Sequence, residues 1–243
     1  MRRLVVPEAS LAEGALALPK ELAHYVRDVL RLGEGAGLLL LDGAGGEAEA
    51  ELRAVDKKQV TLQVGPVRRT PAPSPALVLL QAVGKGDKMD QVVRQATELG
   101  VAEVVPVLTA RAVARQEGRV ERWRTICEDA VRVAGHRHRP RIAEVTPLTE
   151  ALAGAPEGLR LALALDAAAP LAQRLAEAEP GVPITVLVGP EGGLTPDEVA
   201  EARAAGFLAA HLGDRTLRTE TAGPAVLAIV AFWAGRLGGH LGA

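Results

Sequence analysis

The stretch PITVLVGPEGGLTPDEV, residues 183–199, holds a strand, a loop and a helix start in one short run. ITVLV is continuously apolar, the pattern of a strand covered on both faces. Thr195, Pro196 and Glu198 form a capping box with proline at the first helical position. Between strand and helix, Gly189, Gly192 and Gly193 flank Pro190 and Glu191, and glycines there let backbone groups approach a ligand closely. Further apolar runs repeat the theme: LVLLQAV (77–83), EVVPVL (103–108), RLALALD (160–166) and FLAAHLG (207–213). Helical patterns separate them. In the first, Asp87 is the expected cap, Met89, Val92, Val93, Ala96 and Leu99 hold the core face, and Gly100 ends the helix. Others fall near 117–134, 169–178 and 196–205, with a last one at the chain end. Apolar strands alternating with helices predict an α/β domain whose mostly parallel sheet has helices on both faces. Ligands of such sheets lie beyond the carboxyl ends of the strands, which places 189–193 and 212–221 on one edge.

Upstream the texture differs. TPAPSPA (70–76) has three prolines and no helical or strand period, and marks a boundary. Before it, LLLLDG (38–43), EAEAELRAV (47–55) and QVTLQVGPV (59–67) read as strands, the last two alternating as half-buried β. One helix, PKELAHYVRDVLRL (19–32), carries Leu22, Val26, Val29 and Leu30 on a single stripe. The expected organisation is a small β-barrel domain over 1–70, a linker over 71–76 and the α/β domain over 77–243.

Composition excludes several classes. No segment approaches the roughly 18–20 uninterrupted apolar residues of a membrane span. The start, MRRLVVPEAS, has neither the apolar core nor the cleavage site of a secretory signal, so a soluble cytoplasmic protein is expected. The one cysteine, Cys127, leaves no internal disulfide framework. The five histidines show no metal-ligand spacing joined to acids, so no metal is expected. Ser10 and Ser74 are the only serines and neither sits in a nucleophile elbow. The phosphate-binding and dinucleotide glycine motifs are missing too; GKGDK (84–88) lacks the required spacing. The net charge of −2 conceals a basic run over 111–141, where nine arginines face four acids, with His136 and His138 in addition. Such a run is either a solvated helix face or a phosphate contact; GHRHRPR (135–141), with no apolar side chain, favours phosphate.

LGDRTLRTETAGPAVLAIVAFW (212–233) crowds two arginines and three threonines ahead of an apolar helix. A single cap would start that helix, so the other polar groups serve something else. GPEGGLTPDEV followed by LGDRTLRTETA resembles the RsmE-type methyltransferases. HYVRDVLRLGEG…LLLDGAGG (24–46), KGDKMDQVVRQATELGVAEVVPV (85–107) and the pair Arg122–Trp123 resemble the same family, so the likeness covers nearly the whole chain.

The resemblance implies methylation of N3 of a uridine in 16S ribosomal RNA with S-adenosylmethionine. It implies a SPOUT-type domain tied in a trefoil knot, a PUA-like barrel domain, and a homodimer acting on the small ribosomal subunit. A knot is not something strand order predicts, since true knots are nearly absent among folds. Leu165, Gly189, Pro190, Glu191, Gly192, Gly193, Leu212, Gly213, Leu217, Arg218, Thr221 and Ala222 then surround the cofactor. Arg218 stabilises charge developing on the base, as an oxyanion-hole donor does, or else it pairs with Glu220. The proton on N3 leaves to Glu220 or to water. RNA contacts fall to Arg2, Arg3, Arg27, Arg31, Lys85, Lys88, Arg137, Arg139 and Arg141. One departure stands out: the family's E-Q-x-G-R is replaced by Arg132, Val133, Ala134, Gly135 and His136, so those roles do not carry over. Ribose 2′-O methylation and a non-catalytic role in ribosome assembly are the alternative readings.

Overall fold

The computed structural model describes residues 2–112 and 118–237. Arg115, Glu117 and His240 therefore lie outside the described residues. The chain divides into two compact units, Met1–Ala72 with Val131–Arg139, and Pro73–Ala130 with Pro140–Ala243.

The first unit holds β1 (Arg2–Val5), β2 (Gly14–Ala17), β3 (Gly37–Leu41), β4 (Gly46–Val55), β5 (Val60–Val64) and β6 (Arg68–Arg69). They pair in the order β1-β3-β4-β5-β2, with β6 added to β4. The alternation read in β4 is the observed one: Ala48, Ala50 and Leu52 are buried while Glu49, Glu51 and Arg53 are exposed. With Leu4, Val26, Leu38, Leu40, Val60 and Leu62 they form the core of this unit. Each large apolar side chain buried there contributes about 1.5–3 kcal/mol. The helix is less regular than its sequence suggests. α1 (Lys20–His24) continues as one π turn over Tyr25–Val29. The wider turn rotates Val29 off the stripe of Leu22, Val26 and Leu30, leaving it 59% exposed. Residues 137–139 also belong here. Gly45 N donates to Arg137 O, and Arg139 N to Gly43 O, each at 2.8 Å, so this piece of the basic run pairs with the turn after β3.

The second unit has a seven-stranded sheet. In chain order it comprises β7 (Leu77–Ala82), α2 (Lys88–Glu98), β8 (Glu103–Leu108), α3 (Arg119–Ala134, whose last turn is counted with the first unit), β9 (Arg141–Ile142) and β10 (Thr146–Pro147). Then come α4 (Leu148–Ala153), β11 (Leu159–Leu163), α5 (Leu171–Ala176), β12 (Ile184–Val188), α6 (Pro196–Ala204), β13 (Leu208–Ala210) and α7 (Thr219–Trp233). The strand order is β10-β8-β7-β12-β11-β13, with β9 added to β8, and every pair is parallel. All of β7 and β12 is buried, as continuous apolar runs require. Val78 and Leu80 face Leu148, Leu152, Ala202 and Phe207 of α4, α6 and the following turn. The alternate residues Leu79 and Gln81 lie under Gly223 of α7. Both faces are thus covered, as expected for this α/β class. No helix among the described residues is long and apolar enough to cross a membrane.

Three details differ from the sequence reading. β9, β10 and α4 are too short, or too polar in their flanks, to announce themselves. Asp87 occupies the N-cap of α2 but its side chain makes no capping bond; its φ/ψ of −100°/14° is not the extended backbone that aims a cap. The final helix begins at Thr219, so the last residues of the polar stretch, Thr219–Ala222, are its first turn.

The capping box on α6 is present. Thr195 Oγ1 accepts from Glu198 N at 3.3 Å, and Glu198 Oε2 accepts from Thr195 N at 2.7 Å. Glu198 is buried, and its Oε1 also accepts from Ala110 N at 2.6 Å. Thr195→Ala is expected to cost about 1 kcal/mol of stability. Glu198→Ala leaves two N–H groups unpaired and is expected to cost about 2–3 kcal/mol. Denaturant unfolding of both variants checks the order; equal costs contradict it.

Candidate functional site

At the carboxyl ends of β11, β12 and β13 the second unit opens into a cavity of about 770 Å³. Its floor is Ala162, Leu163, Val188, Ala209 and Ala210, the last residues of those strands. Three loops form the walls, residues 164–166, 189–194 and 211–218, and helix ends at Lys88, Pro196, Thr219 and Ala222 complete it. Parallel strands explain the place: each crossover returns to the same edge, so the loops that follow neighbouring strands meet.

The walls are mostly apolar, with charge at a few points. Leu165 is 59% exposed and Leu217 37%, in positions where an occupant of the cavity would cover them. Asp166, Glu191, Lys88, Arg215 and Arg218 supply the charges. A pocket of this size, apolar with a few polar groups, suits a small organic ligand.

The sequence placed Leu165, Gly189, Pro190, Glu191, Gly193, Leu212, Leu217, Arg218 and Ala222 here, and the structure brings them together around the cavity. Gly192, Gly213, Glu220 and Thr221 do not line it. Gly192 is turned away, and its carbonyl accepts from Arg111 Nη1. Gly213, at φ +116°, donates its N–H to His211 Nδ1 at 3.1 Å and so shapes the wall from behind. Glu220 and Thr221 face a second, smaller cavity beside Gln91, Gln95 and Pro224. Asp166, His211, Arg215, Thr216 and Thr219 are cavity residues that the sequence reading did not single out. Asp166 ends the run LALALD, so the rule that ligands lie beyond the carboxyl ends of strands is the signal that points to it.

Glu191 is the hub between this loop and the start of α2. Its Oε1 accepts from Lys85 N at 3.0 Å and from Lys88 Nζ at 2.8 Å. Lys88 Nζ also lies 3.5 Å from Glu220 Oε2, so one ammonium serves two acids. Burial works to raise the Glu191 carboxyl, but the Lys88 hydrogen bond and two backbone N–H groups outweigh it and hold the group below the ordinary glutamate value. The hydrogen bond to Glu191 likewise holds the Lys88 ammonium above the ordinary lysine value, against desolvation.

Arg218 precedes α7 with its side chain 83% exposed; its Nη1 is 4.0 Å from Glu220 Oε1, the outer limit of an ion pair. The guanidinium is therefore available to a substrate. The other arginines are more occupied. Arg137 Nε is 2.7 Å from Glu47, Arg141 is paired with Glu103, and Arg27 with Asp28 at 2.6 Å. Arg3 donates to Val133 O at 2.9 Å, and Arg139 has a partner as well. Arg2, Arg31 and the Lys85 ammonium are exposed and have no side-chain partner among the described residues. Arg122 and Trp123 have a packing role: Arg122 is 2.6 Å from Asp90, and the fully buried Trp123 donates Nε1–H to the same carboxylate at 3.1 Å.

Fold and cavity together define a ligand-binding α/β domain carried with a small β domain. Comparison with known proteins makes this specific. The RNA methyltransferase domain family matches residues 70–231, and the PUA domain of RNA methyltransferases matches residues 18–65. The chain is 34% identical to the Synechocystis ribosomal RNA small subunit methyltransferase E, over 93% of this chain and 76% of that protein. It is 27% identical to the Bacillus subtilis protein of the same name, over 87% and 88% respectively. Among solved structures, the Neisseria gonorrhoeae ribosomal RNA small subunit methyltransferase E bound to S-adenosyl methionine superposes with a TM-score of 0.87. It is 31% identical and covers 96% of this chain and 97% of that one. A Legionella pneumophila protein solved with bound SAM superposes at 0.86, with 29% identity over 95% and 96%. The chain belongs to the RNA methyltransferase family.

The Lys88–Glu191 pair sets a pH window for the 189–193 loop. Because the folded-state value of Glu191 is depressed, its contribution is present above the ordinary value of 4.5 and is lost as pH falls through the folded value. Because that of Lys88 is raised, its contribution is present below 10.5 and is lost as pH rises through the folded value. After correction for intrinsic exchange rates, amide protection in this loop is expected to be flat between those limits and to fall in acid. Glu191→Gln should abolish the acid limb. An acid limb that survives the substitution contradicts the assignment.

Proposed function

We propose that this chain transfers a methyl group from S-adenosylmethionine to N3 of a uridine in 16S ribosomal RNA, acting on the small ribosomal subunit. The observation that carries the reading is the apolar cavity between the 189–194 and 211–218 loops, with Leu165 and Leu217 waiting to be covered. Relatives named for small-subunit ribosomal RNA, and neighbours solved with the cofactor, support it. Adenosylmethionine supplies an electrophilic methyl on a cationic sulfur, and the transfer is an in-line displacement that depends on positioning. The chain's share is to grip the donor with loop backbone and to stabilise the nucleophile.

N3 of a neutral uridine is a poor nucleophile until its proton leaves. Arg218, exposed at the cavity rim, is assigned to the base oxygen on which negative charge develops. Glu220 lies outside the cavity lining, with Lys88 Nζ 3.5 Å from its Oε2, and so does not face the space a base would occupy; the proton is assigned to water. The target base must leave its stack to reach the site. The PUA-family domain (1–70) and the unpartnered Arg2, Arg31 and Lys85 are assigned to the RNA backbone, with the α/β domain (77–243) carrying the chemistry across the 71–76 linker. Ile229, Phe232 and Trp233 are exposed at helical spacing on α7 and are assigned to a homodimer contact. The reading includes the trefoil knot. After β13, at the sheet edge, residues 211–218 lead back to α7, which packs on the central strands β7 and β12. It also includes a cytoplasmic location, where ribosomes are assembled.

The test is methylation of unmodified 16S RNA and of small subunits by the purified chain, followed by nucleoside mass spectrometry. N3-methyluridine is expected. A ribose 2′-O-methyl product reassigns the chemistry, and binding of cofactor without any product makes the chain an assembly factor. Arg218→Ala should lower the single-turnover rate about 10²–10³-fold, like loss of one oxyanion donor. Cofactor affinity should change little, and raised pH should recover part of the rate. Lys is a poor replacement for a planar fork, so Arg218→Lys should recover little. Equal losses of affinity and rate contradict the assigned role.

A further inference from the structure

We infer that Gln81 and Thr219 are positioning residues that hold the two cavity loops in register through a buried hydrogen-bond relay ending on the Gly189 carbonyl; this rests on the methyltransferase reading above. Gln81 sits in the middle of the sheet, 1% exposed, in a strand otherwise made of leucine, valine and alanine. An amide there costs free energy unless its polar atoms are used. Its Nε2 donates to Thr219 Oγ1 at 2.9 Å and to Ala82 O at 3.3 Å. A threonine hydroxyl has one proton to give. With Gln81 on its lone pair, Thr219 gives that proton to Gly189 O at 2.7 Å.

Each end of the relay touches a cavity wall. Gly189 opens the 189–194 loop, one residue after Val188, which is paired in register with Gln81 itself. Thr219 is the first residue of α7, directly after Leu217 and Arg218. One chain of two hydrogen bonds therefore sets where the first loop's backbone points and where the second loop enters its helix. The remaining amide atom supports this view of the glutamine. Among the described residues Gln81 Oε1 has no hydrogen-bond partner, and a Cβ at position 223 would lie 2.7 Å from it, so α7 meets the amide at Gly223. An apolar side chain would fill the site without that orphan; what only the amide supplies is the donor to Thr219.

The test uses the full chain, with adenosylmethionine calorimetry and single-turnover methylation of small-subunit RNA at saturating cofactor. Thr219→Val keeps the branched shape without the hydroxyl and should lower the saturated rate about a hundredfold through misplacement of the loops. Thr219→Ser keeps the hydroxyl and should stay close to the wild-type rate. Gln81→Leu should lower the rate in the same direction, and the Gln81→Leu/Thr219→Val double variant should be no slower than Thr219→Val alone. A purely packing role would instead lower thermal stability, leave the rate of the folded enzyme unchanged, and add across the double variant. Thr219→Val at the wild-type saturated rate, or multiplying losses, overturns the relay. If Gln81→Leu does not fold, the Thr219→Val and Thr219→Ser pair decides alone. A wild-type chain that neither binds adenosylmethionine nor methylates RNA contradicts the methyltransferase reading instead. The relay is then judged by amide exchange over 189–193 and 219–222, which Thr219→Val must accelerate and Thr219→Ser must not.

Discussion

In a parallel sheet every crossover carries the chain back to the edge it started from, and that constraint organises the second unit. β11, β12 and β13 are neighbours, and all three release their chain at one edge. The strands themselves are short and apolar, so their ends make a floor with no hydrogen-bonding demands of its own. Polar chemistry is left to the three loops. Sheet and cavity are in this sense one feature: the strand ends form its floor and the loops that follow them its walls.

Loops of this kind need fixing, and the molecule does so with a few directed polar contacts. Glu191 ties the 189–194 loop to the start of α2, Arg111 holds the Gly192 carbonyl, and Glu198 anchors the capping box to Ala110. Asp90, buried under Arg122 and Trp123, joins α2 to α3. Glu198, Asp90 and Trp123 are buried groups with matched partners, which is the circumstance in which polar contacts define a single geometry. Arg218 is the contrast, exposed and only loosely paired, as a group reserved for a substrate would be.

Much of this was legible in the sequence. The continuous strands, the capping box at Thr195 and the polar loop after residue 211 each have a local pattern with one physical reading. What sequence missed has a common cause: it depends on which residues meet in space. The Gln81 amide looks like an interruption in LVLLQAV until Thr219 is placed against it, 138 positions later. The run GHRHRPR reads as free positive charge, yet Arg137 and Arg141 face Glu47 and Glu103 from distant segments. Lys88 reads as a phosphate contact, whereas it lines the cavity between two acids. The shift of Val29 has a different origin, a π turn, which a helical period of 3.6 does not anticipate.

The proposed function requires that the cavity at the ends of β11, β12 and β13 receive adenosylmethionine. Hydrogen exchange of the full chain with and without the cofactor tests it most directly. Slowed exchange is expected over residues 163–166, 189–194 and 211–219, with the strands of the first unit unaffected. Unchanged exchange in those three loops at saturating cofactor, or protection confined to residues 2–72, would contradict it.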